Sequence, residues 1–298
     1  MYSINYDNDQ NGNLKTVVLS NENQSDFAEI AINLGSSLQN LKLSNKQIIK
    51  SLEPLTYSNT YASSVLFPFA NRIQDGTYKF NGETFSFPIN EPDRNNALHG
   101  LVYSKTFRVV DEKTSEKKAS ITLLYEETKL SKGFPYSYSI QLKYTLKSGS
   151  LDLQVLIKNT DTKTFPFTTG WHPYFYSSDL HNSSLNFVSD TQLVFNDRCI
   201  TTDTAEVSNT SNFEIKDKQL DDCFILKNNE VQFNTPDYNL LISSSEDHSF
   251  LQIYTPPKKD AIAIEPTTGV SDSFNNKMGL KTLSPNDSYQ ITWNLKLI

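Results

Sequence analysis

The chain has 298 residues, of which 37% are hydrophobic and 12% aromatic, with 18 Phe and 15 Tyr against two Met. That length holds one large all-β domain or two medium ones, and a stock rich in Phe, Tyr, Thr, Ser and Asn favours strands and polar loops. A net charge of −7 without any lysine–arginine block excludes the basic face that a nucleic-acid partner needs and a polybasic membrane anchor.

The opening stretch MYSINYDNDQNGN has neither a basic n-region nor an apolar h-region, and no apolar run approaches the roughly 20 residues of a membrane span. The expectation is a cytoplasmic protein without a signal peptide. Residues 7–13, DNDQNGN, imitate the start of a calcium-binding loop with Gly12 in sixth place. The twelfth place, which must supply a bidentate carboxylate, is Val18, so a polar turn is expected instead. FAEIAINLG (27–35) is ambiguous between helix and strand, and no longer window carries a helical period.

Arg72 follows in FPFANRIQDG (67–76), after an apolar run and before a turn. Such an arginine is either solvated or a fixed fork of donors for a ligand's hydroxyls. TYKFNGETFSF (77–87) reads as a hairpin, because Asn81-Gly82 suits a two-residue turn with positive φ at both positions. His99 lies in NALHG (96–100), where Gly100 would let the backbone approach a ligand closely. A strand is expected at 119–127. The alternation of SYSIQLKYTL (137–146) and LDLQVLIKNT (151–160) gives a second hairpin turning near Gly149.

TTGWHPYFY (168–176) places His172 inside the densest aromatic run of the chain. It is either a core histidine or a proton donor at the wall of a cleft. Further strands are expected at 191–195, 239–244 and 249–254. Asp221 and Asp222 in QLDDCF (219–224) read as loop acids, one of which could accept from a ligand hydroxyl. In AIAIEPTTG (261–269), Ile262 and Ile264 share one strand face and Ala261, Ala263 and Glu265 the other. Glu265 therefore ends a row of small residues, with Pro266 expected to stop the strand; it is either an edge carboxylate or a pocket-facing one. A last strand is expected at 289–297. With no repeat, linker or composition break, the chain reads as a single antiparallel β-sandwich over 1–298. Cys199 and Cys223 form no CxxC pair or Cys/His cluster, so no zinc site is expected.

In order along the chain, FANRIQDG, the NG turn, ALHG, TTGWHPYF, LDDCF and IEPTTGVSDSF resemble the motif series of the aldose 1-epimerases, the galactose mutarotase-like proteins. The resemblance runs from about residue 13 to the C-terminus, and the GWHPYF form is similar to the broad bacterial branch. Leu101 and Trp171 stand where many galactose-specific members carry Gly and Asn. The resemblance implies a large antiparallel β-sandwich with a concave face for one sugar. It implies that Glu265 is the general base on the C1 hydroxyl and His172 the general acid on the ring oxygen. It further implies that Arg72, His99 and Asp221 hold sugar hydroxyls, with no cofactor, in a monomer or homodimer. Trp171, Tyr174 and Phe175 would wall in His172. Three alternatives stay open at this point: a silent sugar-binding protein on the same fold, a hexose-6-phosphate 1-epimerase with Arg94 or Arg72 at the phosphate, and a hydrolase using Asp221 and Glu265 as paired carboxylates.

Overall fold

A computed structural model describes residues 1–298 apart from Asn13, Asn209 and His248. Two large antiparallel sheets face each other. One has nine strands, led by Arg108–Thr114, Lys118–Glu127, Tyr138–Lys147, Ser150–Asn159 and Ser288–Leu297 in adjacent order. The other has eight, numbered here in chain order: β1 Val65–Leu66, β2 Gly170–Trp171, β3 Tyr174–Tyr176, β4 Thr191–Phe195, β5 Thr201–Glu206, β6 Asp221–Ile225, β7 Phe250–Tyr254 and β8 Ala261–Thr267. Their spatial order is β5-β4-β6-β7-β8-β2-β1, and β3 also pairs with β8. The fold is all-β and antiparallel, as the strand alternation predicts.

The core lies between the sheets. Alternate residues of the strand Ser150–Asn159 are buried, among them Leu151, Leu153, Val155 and Ile157. They meet the inward row of the eight-stranded sheet, including Leu251, Ile253, Ile262 and Ile264, in one continuous apolar cluster. Trp171 stacks on Trp293 across the gap at 6.2 Å, and Phe175 meets Phe233 at 6.3 Å.

A five-stranded meander, from Tyr2–Asn8 to Lys46–Ile49, packs beside them. It settles the ambiguous stretch, because Phe27–Ala31 is a strand. Its first two strands, Tyr2–Asn8 and Leu14–Asn21, pair antiparallel, so residues 9–12 form the expected polar turn, with Asp9 capping the amides of Asn11 and Gly12. Asn13, the last residue of the calcium-like stretch, lies outside the described residues.

Turn chemistry fixes both expected hairpins. Phe80 pairs with Glu83 across Asn81-Gly82, whose φ values are 49° and 82°, and Lys147 pairs with Ser150 across Ser148-Gly149. Among the described residues no helix is long and apolar enough to cross a membrane.

Candidate active site

A cleft of about 290 Å³ opens on the outer face of the eight-stranded sheet. Its floor follows from strand register. Asp221 pairs with Tyr254, Gln252 with Glu265, and Ala263 with both Tyr254 and Tyr174. Because side chains alternate, Asp221, Gln252, Tyr254, Glu265 and Tyr174 all rise from this face, while Ile253, Ile262 and Ile264 go into the core. Ala261 and Ala263 keep the row beside Glu265 low. Asp221 and Asp222 thus start a strand rather than sit in a loop, and only Asp221 lines the cleft.

Pro266 does not stop the strand as its ring suggests: β8 continues to Thr267. On the flank toward β2 and β3, the Ile264 amide donates to the Pro173 carbonyl at 3.3 Å and the Thr268 amide to the Thr169 carbonyl at 2.8 Å. Pro266 takes the position midway between these donors. In that register it stands opposite Trp171, the last residue of β2 before the gap that separates β2 from β3, and its ring supplies no ladder donor there.

That gap is where His172 sits. Its backbone amide donates to the Ser64 carbonyl at 3.0 Å, and its carbonyl accepts from the Ser63 amide at 2.7 Å. The side chain turns over β8, bringing Nε2 to 3.4 Å from Glu265 Oε1. Both residues are buried, 5% and 3% exposed. Tyr174 stacks on the imidazole at 5.0 Å and 23°, and His99 meets it edge-on at 5.0 Å. Of the three expected wall residues only Tyr174 has this role. Trp171 and Phe175 point to the opposite sheet face, where the Trp171 indole donates to the Ser63 carbonyl at 3.1 Å.

The facing wall comes from a short ladder, Arg72–Gln74 against Asn96–Leu98. At its end Asn71 and His99 both take left-handed φ, 60° and 61°, with the His99 amide donating to the Asn71 carbonyl at 2.8 Å. Both side chains line the cleft. Strained backbone at two cleft residues is what a site imposes on its scaffold. Gly100 approaches the chain itself rather than a ligand: a Cβ there would lie 2.3 Å from the Phe67 carbonyl oxygen.

Arg72 is locked. Its Nε reaches Glu91 Oε2 at 2.9 Å, Nη2 reaches Glu91 Oε1 at 2.9 Å, and Nη1 donates to Asn71 Oδ1 at 3.0 Å. The other N–H on each terminal nitrogen stays available for a ligand. Glu91, which also accepts from Asn96 and Arg94, is a cleft residue that sequence reasoning missed. Its partner Arg72 lies 19 residues away, beyond any local pattern. Tyr61, edge-on to His99 at 4.9 Å, was equally invisible. Arg94 reaches the cleft mouth but is engaged by Glu91.

The electrostatics are those of a dry site. Burial, and then Asp221, push the Glu265 carboxyl well above the usual carboxylate range, against the pull of Arg72. Burial drives the His172 imidazole down to about 4; a bond to its own backbone opposes this and the Arg72 charge adds to it. His99 is lowered by burial, then by His172 and Arg72. Asp221 is raised by burial against the pull of Arg72 and Arg94. Burial thus disfavours the charged form of both partners, raising the carboxyl and lowering the imidazole.

Residues 15–296 match the family model described as Aldose 1-epimerase. The chain is 23% identical to YihR of Escherichia coli K12, an uncharacterized protein, over 91% of this chain and 90% of that one. Among solved structures, a galactose mutarotase-like protein from Clostridium acetobutylicum superposes with a TM-score of 0.88 at 22% identity, covering 99% of this chain and 98% of that one. Galactose 1-epimerase from Lactobacillus acidophilus superposes with a TM-score of 0.82 at 17% identity, covering 100% and 98%.

Proposed function

The chain belongs to the aldose 1-epimerase family, and from that premise we propose that it interconverts the α and β anomers of a free aldose through the open-chain aldehyde. The observation that carries this reading is the buried pair in the cleft, His172 Nε2 at 3.4 Å from Glu265 Oε1. Opening a hemiacetal needs a proton removed from the C1 hydroxyl and a proton given to the ring oxygen in one event. A carboxylate and an imidazolium side by side supply both.

A C1 hydroxyl donating to Glu265 stabilises its carboxylate, and a ring oxygen offered to His172 stabilises the imidazolium, so a bound sugar favours the charged pair that the reaction uses. Glu265 then takes the hydroxyl proton as the C1=O bond forms, the bond from C1 to the ring oxygen breaks, and His172 protonates the leaving oxygen. Rotation about C1–C2 presents the other carbonyl face, and the reverse transfers close the ring. The reaction is a net isomerisation with no change in oxidation state. Arg72, His99 and Asp221 are assigned to the sugar's hydroxyls, and the size of the cleft suits one monosaccharide.

Anomer exchange followed by NMR with glucose, galactose, xylose and glucose 6-phosphate tests this. The expected result is acceleration of at least one sugar, reduced by at least about a thousandfold in Glu265→Gln, which keeps the shape and removes the base. A wild-type rate in the variant would sink the assigned role. Sugar-dependent shifts in protein signals without exchange would favour a binding protein on the same fold.

A further inference from the structure

A second cavity, of about 390 Å³, adjoins the cleft. It is larger than the cleft itself, and the two have Thr60 and Tyr174 as common lining residues. Its far side is built by the five-stranded meander, through Gln39 and Ile49, and by the segment 50–57 that leaves it. Leu52, Leu55 and Ala62 pack with Tyr174 in a small apolar cluster separate from the main core. That cluster gives the cavity an apolar side.

The polar side is sparse and already oriented. Gln39 Nε2 donates to Ser37 Oγ at 2.7 Å and to the Ala62 carbonyl at 3.4 Å. Both partners accept there, which fixes the amide and turns its oxygen into an acceptor for something else. Lys50 Nζ pairs with Asp260 Oδ2 at 2.8 Å and lies over the Tyr176 ring at 3.5 Å. Its charge is thus met within the protein, while an ammonium has three N–H groups to give. Thr60 Oγ1 spends its proton on the Thr56 carbonyl at 3.1 Å and can only accept from a ligand. An apolar side facing a few fixed donors and acceptors suits a neutral ring with C–H faces and a rim of hydroxyls. The cavity also stands next to His172. Ser63 in its wall gives its amide to the His172 carbonyl at 2.7 Å and takes the Trp171 indole N–H at 3.1 Å.

We propose that this cavity is a second binding site for a neutral sugar ring, with Leu52 and Leu55 against its C–H face and Gln39 Oε1 accepting from a hydroxyl. The ring chemistry follows from the cavity's own lining; that the site serves a sugar reaction next door rests on the epimerase reading. Two sources share this chemistry. One is the second unit of a reducing disaccharide whose first unit fills the cleft, and the other is a separate monosaccharide.

The test uses the full chain, with leucine methyl and histidine ring NMR signals read together. Leu52 and Leu55 report the cavity, and His99, which lines the cleft and not the cavity, reports the cleft. The probes are glucose, maltose and melibiose, and at least one is expected to move the leucine methyls. Gln39→Met, which keeps the length and removes the acceptor, should weaken that response about tenfold, the worth of one hydrogen bond. Ala62→Phe, which fills the cavity from a position outside the cleft, should abolish it. The glucose midpoint at His99 should stay within about threefold of wild type in both variants.

A disaccharide that moves both reporters along one curve, where glucose moves only His99, identifies a linked unit. Glucose moving the methyls along a curve of its own identifies a separate molecule. The proposal is overturned if no probe moves the methyls, or if their response survives Ala62→Phe. It is also overturned if glucose moves both reporters along one curve that Gln39→Met leaves unchanged. If His99 answers to no sugar, the epimerase reading fails, while the methyls still decide the cavity.

Discussion

His172 and Glu265 carry opposite liabilities, and these give the pH behaviour a sign. His172 has its folded value pushed from the ordinary 6.5 down to about 4. The stability it lends is therefore complete above about 6.5 and is lost as pH falls toward 4. Glu265, raised by burial, does the reverse: its contribution is present at low pH and is lost as pH rises past the usual carboxylate range. Urea unfolding at pH 7 and pH 4.5 should show wild type losing about 2 kcal/mol more than His172→Gln over that interval. Equal losses in the two proteins would show that His172 takes up its proton in the fold as easily as outside it. At this scale much was legible. Glu265 was placed by the parity of AIAIE, and the Trp-His-Pro run marked His172 as unusual. Glu91 and Gln252 were not, because the partners they bond lie 19 and 31 residues or more away.

Elements set where these side chains stand. The proline in β8 stands opposite Trp171, the residue just before the break between β2 and β3, and the strand runs on past it to Thr267. Reading Pro266 by itself predicts a strand end, since its ladder neighbours cannot be seen in the sequence. Gly100 shows the same limit. Its flexibility was readable, but what crowds it, the Phe67 carbonyl, belongs to a segment more than thirty positions upstream. Gly100→Ala would combine that clash with a φ of 73° and is expected to lower stability by about 3 kcal/mol in urea titrations. A loss below about 1 kcal/mol would mean that the ladder holding His99 can shift to accommodate a methyl group. By contrast, the expected hairpins and long strands fall within a residue or two of their positions, because period-two patterns and Asn-Gly turns are local signals.

Across the whole molecule, the two large sheets share one apolar core, and the Trp171–Trp293 stack at 6.2 Å ties them together directly behind the cleft. The residue after Trp171 is His172, so the sheet-to-sheet contact and the His172–Glu265 pair proposed for proton transfer hang from consecutive positions. The two buried indoles are the only tryptophans in the chain, which makes their emission a report on sheet docking. The Asn71–Gln252 bond, on the other side of β8, joins segments 181 residues apart. Closing so long a stretch costs entropy that nothing local repays, and pairings of this kind form slowly. During refolding from urea, tryptophan emission should therefore recover with the docking of the sheets, and anomer exchange should return no sooner, trailing wherever the two are resolved in time. The proposed activity, on this view, is the last thing the chain acquires, and a nascent or clipped copy can look folded by its tryptophans before its cleft is assembled.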